Sequence, residues 1–179
     1  GTDGNLISYD ASGNPVAVAT GNDGQVLTST GAGSPPAFED ASGGTNTPTF
    51  LVYKQGDQSI SANTDTKITS WTEIFDPQNT FASNKFTPGV SGKYYIYGYV
   101  YFQAVDTGKF VVRFKKNGST FVESGSIPGS SSHTYPQLCA GYIELDTNDY
   151  VEMYAQGTNN TSAYSSGDDV QWGGYKIIE

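Results

Sequence analysis

From Thr49 onward, apolar residues recur in short runs separated by turn signals, at intervals of about ten residues. The runs are "TFLVYKQ", "KITSWTEIF", "NKFTPG", "KYYIYGYVYFQ", "KFVVRFKK", "STFVESGS", "YPQLCAGYIEL", "YVEMYAQG" and "VQWGGYKII". Between them stand Gly-Asp, Asp-Pro, Ser-Gly, Asn-Gly and Pro-Gly pairs, which favour tight turns. Nine or ten short strands over about 130 residues predict a β-sandwich or jelly roll. The run at 93–103 is unusual because a strand there has rings on both sides. Tyr95, Tyr97, Tyr99 and Tyr101 fall on one face, and Tyr94, Ile96, Gly98, Val100 and Phe102 on the other. A sandwich of a single chain needs one buried face per strand, but here both call for burial.

The first forty residues follow another pattern. "GTDGNLISYDASGNPVAVAT" (1–20) lies over "GNDGQVLTSTGAGSPPAFED" (21–40) without a gap, giving two 20-residue repeats. In each, Asp-Gly supplies a turn, two apolar residues a short strand, and Gly-x-Pro another turn. Such a unit is too small to bury its own core and needs neighbours, in its own chain or in others. Three chains wound about one axis would supply them; a disordered linker is the alternative. "ASGGTNTP" (41–48) is a linker by composition. The chain begins inside a repeat and so reads as part of a longer protein.

Composition narrows the function. The 179 residues carry 18 acidic and 9 basic side chains, a net charge of −9. Such a balance opposes binding to nucleic acid or to an anionic membrane. No apolar run approaches the length of about 18 residues that spans a bilayer, so membrane insertion is not expected. Cys139 is the only cysteine and excludes an intrachain disulfide; it reads as a small buried apolar residue. His133 is the only histidine and has no partner histidine for metal binding or catalysis. Asp168 and Asp169 are adjacent carboxylates, a weak Ca²⁺ signal without the spacing of a calcium loop. No metal, cofactor or catalytic residue is expected. The scattered acidic residues (Asp57, Asp65, Asp106, Asp146, Asp149) form no paired-carboxylate motif of a glycosidase.

Residues 49–179 resemble the globular head of complement component 1q, which shares its jelly roll with tumour necrosis factor. The resemblance is carried in order by "IFDPQNTFASNKFTPGVSGKYYIYGYV", the "FKKNG" hairpin (114–118), "AGYIELDTNDYVEMYA" (140–155) and "VQWGGYKII" (170–178). It departs at Trp172-Gly173-Gly174-Tyr175, where that family has Phe-Ser-Gly-Phe, and at Lys85, where a glycine is common. The resemblance implies an all-β, ten-stranded antiparallel jelly-roll sandwich, a compact homotrimer, and adhesion without catalysis. The repeats at 1–40 resemble those of bacteriophage tail fibres.

Together these readings predict a repetitive β fibre shaft (1–40), a linker (41–48) and a jelly-roll head (49–179). The expected function is that of a trimeric virion fibre tip binding a host-surface receptor, a glycan or a protein. A cell-surface adhesion protein is the alternative, and a polysaccharide-degrading enzyme the third reading. The expected location is the virion, or else the cell surface. With Ile96, Val100 and Phe102 turned inward, Tyr95, Tyr97, Tyr99 and Tyr101 would face the three-fold axis. Alternation of strand direction sends 56–66, 104–108, 128–134 and 157–169 to the distal tip, and 116–119 and 146–149 to the base. The tip loops offer Ser131, His133, Tyr135, Asn159, Asn160, Tyr164, Asp168 and Asp169 as receptor contacts, since tyrosine with small polar residues makes adaptable contact surfaces.

Overall fold

The structure, a computed structural model, describes residues 4–41, 45–103, 108–128, 134–165 and 170–177. At Ile127 and Tyr135 it describes the backbone alone. The chain divides into two compact units, Gly1–Gly44 and Thr45–Glu179. Every regular element among the described residues is a β-strand.

The N-terminal unit consists of two hairpins, one per repeat. Strand β1 (Leu6–Tyr9) pairs with β2 (Pro15–Val18), and β3 (Gln25–Thr28) with β4 (Ala37–Asp40). Equivalent residues clasp the open end of each hairpin. Thr20 N–H donates to Asn5 Oδ1 at 3.2 Å, and Gln25 Nε2 donates to Asp40 Oδ1 at 3.1 Å. The repeats align without a gap, yet their pairing differs by one residue. Leu6 faces Val18, whereas the equivalent Val26 faces Glu39. Such a step turns different side chains onto each face.

The second unit is a sandwich of two seven-stranded sheets. Its early strands are β5 (Thr49–Lys54), β6 (Gln58–Ile60), β7 (Thr66–Lys67), β8 (Trp71–Phe75), β9 (Phe81–Ala82) and β10 (Lys85–Phe86). The long strands follow: β11 (Gly92–Phe102), β12 (Lys109–Lys116) and β13 (Ser119–Glu123). The last are β14 (Ile127–Pro128), β15 (Tyr135–Leu145), β16 (Val151–Gly157), β17 (Thr161–Tyr164) and β18 (Gln171–Lys176). In the first sheet β11 is central: β15 pairs along one edge, while β18 and β17 share the other, leading on to β5, β8 and β6. The second sheet runs β13-β12-β16-β10-β9, with β14 on β12 and β7 on β16. This is the expected all-β antiparallel jelly roll, with further short strands along its margins.

Alternation explains the core. Tyr94, Ile96, Val100 and Phe102 of β11 point inward and are fully buried. They meet Phe110, Val112 and Phe114 of β12 and Val151, Met153 and Ala155 of β16. Phe102 stacks on Phe110 at 4.8 Å, and Trp172 lies edge-on to Phe81 at 4.9 Å. Burying each such side chain is worth about 1.5–3 kcal/mol, which makes this face the main source of stability. The Asn117-Gly118 turn joins β12 to β13 with φ of 50° and 83°, the geometry that twists with the strands it connects.

One expectation is corrected by the fold. Residues 157–169 are not one loop. Thr161–Tyr164 forms β17, paired with β6 and with the end of β11. Its buried residues are Thr161 and Ala163, small and weakly apolar, so the period-two pattern is faint in the sequence. The 56–66 connection likewise contains β6, anchored by the buried Ile60.

Candidate functional site

The two sheets present unlike surfaces to the outside. On the second sheet, charged side chains are paired with one another. Arg113 bonds Asp65 (3.1 Å), Gln156 (2.9 Å) and Glu123. Lys115 pairs with Asp65 and lies 4.0 Å over the Tyr154 ring, and Lys67 pairs with Glu152 at 2.6 Å. Burial lowers the Arg113 pKa, but hydrogen bonding and charge from Glu123 and Asp65 outweigh it and hold the guanidinium above its ordinary value. A face built in this way is at home in water.

The outer face of the first sheet is aromatic. Pairing register places Tyr95 opposite Tyr142 on β15 and Tyr175 on β18. Tyr97 stands opposite Ala140 and Gly173, and Tyr99 opposite Leu138 and Gln171. Leu51 and Tyr53 extend the same face on β5. The rings make a continuous set, with Tyr95 5.9 Å from Tyr97, 5.1 Å from Tyr142 and 5.7 Å from Tyr175. Tyr95, Tyr97, Tyr99 and Tyr101 are each half-buried, while Tyr142 is 74 % and Leu138 61 % exposed. The Lys93–Glu144 pair stands at one end of the face; the tyrosine, leucine and glycine positions between carry no charge. Burial, then the neighbouring Tyr175 and Tyr95, raise the Tyr97 pKa. Leu51, Tyr53, Leu138, Tyr142 and Tyr175 were not assigned to this face from sequence. The alternation in "YPQLCAGYIEL" carried the signal for two of them.

Loops gather at the two ends as strand direction requires. At the base, Asn117 Nδ2 donates to Asp149 at 2.6 Å, Tyr150 N–H returns to Asn117 Oδ1 at 3.0 Å, and Asn46 reaches Lys176 O at 2.8 Å. At the opposite end, Ala62 N–H donates to Asn160 Oδ1 (2.8 Å), Asn63 N–H to Gly157 O (2.7 Å) and Lys109 N–H to Thr158 Oγ1 (2.9 Å). Gln103 and Ser162 meet there through Gln103 N–H and Ser162 O. Asn159 and Asn160 therefore lie at this end, with Asn160 employed as a loop clasp. The backbone of Tyr135 is there too, opposite Phe102. Tyr164 departs from its predicted place in a loop: it sits on β17 opposite Tyr101, at the margin of the tyrosine face. Ser131, His133, Asp168 and Asp169 lie outside the described residues.

Lys54 is buried at the same end, its Nζ donating to Gly56 O at 2.6 Å and Gln55 O at 3.3 Å. Desolvation lowers its pKa against the opposing charge of Asp57. Burial pushes the Cys139 thiol up to about 11, as suits an unreactive core residue. Among the described residues no group of three His, Cys, Asp or Glu side chains is placed to hold a metal ion.

A two-sheet antiparallel jelly roll with one charged and one aromatic outer face defines the class of this unit. It has the fold of the complement 1q and tumour necrosis factor heads. The globular domain of zebrafish complement 1qA superposes with a TM-score of 0.55 at 15 % identity, over 73 % of this chain and 97 % of that one. Murine APRIL, at pH 5.0, gives 0.56 at 16 % identity, over 72 % and 98 %. Eiger TNF from S. frugiperda gives 0.55 at 14 % identity, over 72 % and 91 %. No family model and no curated protein matches the sequence.

Proposed function

We propose that this chain is a trimeric fibre tip, a virion adhesin whose jelly-roll head binds a host-surface glycan through loops at the end of the sandwich opposite the Asn117–Asp149 turns. The observation that carries the reading is the contrast between the outer faces. The second sheet neutralises its charges for water, while the first exposes Tyr142 and Leu138 beside half-buried tyrosines. Contiguous exposed apolar surface marks an interface, and aromatic residues dominate the energetics of such contacts. Three identical heads meeting through Tyr95, Tyr97, Tyr99 and Tyr101 cover it. The repeat hairpins preceding the head supply the stalk. Asn159 and Asn160 lie in the distal group, with the Tyr135 backbone beside them; Ser131, His133, Asp168 and Asp169 complete the proposed contact set.

The test has two arms. Light scattering of the full chain is expected to give three times the 19.1 kDa of one chain. A glycan array is expected to show binding that His133→Ala and Asn159→Ala weaken without changing mass. A monomer would remove the trimer, and array binding untouched by every loop variant would remove the distal site.

A further inference from the structure

We infer that Asp65 is a positioning residue of the distal site: it fixes the 61–64 turn against residues 157–160, and the two segments together offer an uncharged amide and hydroxyl surface to the neutral rings of a sugar. The class of ligand rests on the glycan reading above; the anchoring by Asp65 does not.

Residues 61–65 join β6 to β7. Asn63 takes a left-handed φ of 54°, a conformation asparagine tolerates better than most residues. The turn closes on itself through Thr64 N–H to Ser61 O at 3.1 Å. It then grips its neighbour twice, through Ala62 N–H on Asn160 Oδ1 and Asn63 N–H on Gly157 O. The neighbour is itself pressed onto the core. A Cβ at Gly157 would stand 2.9 Å from Asn159 O and 3.1 Å from the Phe110 ring.

Asp65 ends the turn. One of its carboxylate oxygens accepts from Arg113 Nη1 at 3.1 Å, and the other pairs with Lys115. Both cations stand on β12, which is held between β13 and β16. Arg113 is fixed further by Gln156 and Glu123. An isolated exposed ion pair is worth little, but here one carboxylate bridges two cations whose side chains are each 17 % exposed. Such a carboxylate is held in orientation as well as in place.

The surface so built has a definite chemistry. Neither 61–64 nor 157–160 carries a charged side chain, and Asn63, Thr64, Thr158 and Asn160 are exposed. Amides and hydroxyls both donate and accept, as sugar hydroxyls do. The adjoining carboxylate of Asp65 is spent on its two cations, and the chain's net charge of −9 opposes an anionic ligand. The uncharged sugar is the fit.

Two measurements on the full chain test this separately. Amide hydrogen exchange reads local opening and needs no ligand. In Asp65→Asn, exchange at Ala62 and Asn63 is expected to speed several-fold, while Val112 and Met153 in the core stay as slow as before. Unchanged exchange at Ala62 and Asn63 overturns the anchor. Lys115→Met removes one of the two cations and gives a second reading, with a smaller increase expected at the same two amides. An array of neutral oligosaccharides and their sialylated forms then reads the surface. Asn63→Ala is expected to weaken neutral binding several-fold without altering mass or core exchange, and Asp65→Asn to weaken it likewise. Neutral binding that survives both variants overturns this surface and leaves the other distal loops as the glycan site. Preference for the sialylated forms overturns the neutral class. An array silent for the unaltered chain overturns the glycan reading and this surface with it, while exchange still decides the anchor.

Discussion

Tyr97 lies across Gly173: a Cβ at that glycine would stand 2.7 Å from the Tyr97 hydroxyl oxygen and 3.1 Å from Leu51 Cδ1. The ring occupies the space that a side chain on β18 would fill. Gly173→Ala is therefore expected to destabilise the head by about 1–3 kcal/mol in chemical denaturation at fixed protein concentration. In a Tyr97→Ala background the same change should cost much less, because the clash is gone. Equal costs in the two backgrounds would show that the ring and the glycine are not coupled.

The tyrosine face should decide oligomeric state. Tyr99→Glu places a charge in the middle of it, and uncompensated burial of charge is expensive. The mass is expected to fall from three chains to one. Gln156→Glu adds the same charge to the already charged opposite sheet and should leave mass unchanged.

Tyr94 is fully buried and donates to Val90 O at 2.6 Å, and burial pushes its pKa up from 10.0 to about 12. The folded state thus holds the phenolic proton more tightly than the unfolded state. Its contribution is complete below pH 10 and is lost as pH rises from 10 towards 12. Tyr94→Phe should cost about 1 kcal/mol at neutral pH through the lost hydrogen bond. It should also flatten the alkaline decline, followed as melting temperature against pH.

Asp149 ties the two basal turns. Its carboxylate accepts from Asp146 N–H at 2.8 Å, and Lys116 and Asn117 bind it as well. The Asp146 hydrogen bond first, then Lys116 and Asn117, hold its pKa down at about 2 from 3.8. A depressed carboxylate contributes stability above pH 3.8 that disappears as pH falls towards 2. Asp149→Asn should lower stability at neutral pH and show a shallower acid decline. Parallel acid profiles for the two proteins would contradict the tie.

Lys54 separates packing from charge. Its stem is buried and its ammonium meets two carbonyls. Lys54→Met keeps the stem and removes a desolvated charge, so the net change should stay within about 1 kcal/mol. Lys54→Ala opens a cavity and should cost about 2–4 kcal/mol. A Met variant as damaged as the Ala variant would assign the role to the ammonium.

Alternation along the chain is enough for the class of fold and its inward faces. Period-two alternation in "KYYIYGYVYFQ" and "KFVVRFKK" separates core from surface because a strand turns successive side chains to opposite sides. Alternation of strand direction also places the 116–119 and 146–149 turns at one end, and Asn117 meets Asp149 there; 104–107 and 129–133 lie outside the described residues. The tertiary structure decided what local pattern cannot carry. Thr161–Tyr164 became a strand because Ile60 and the end of β11 lie beside it in space, so Tyr164 moved from a loop to the rim of the tyrosine face. Cross-strand register brought Tyr142 and Tyr175 to Tyr95 from far along the chain. Charge pairing such as Arg113 with Asp65, and ring clusters such as Tyr95 with Tyr142, form between residues that neighbour one another only after the sheets have assembled.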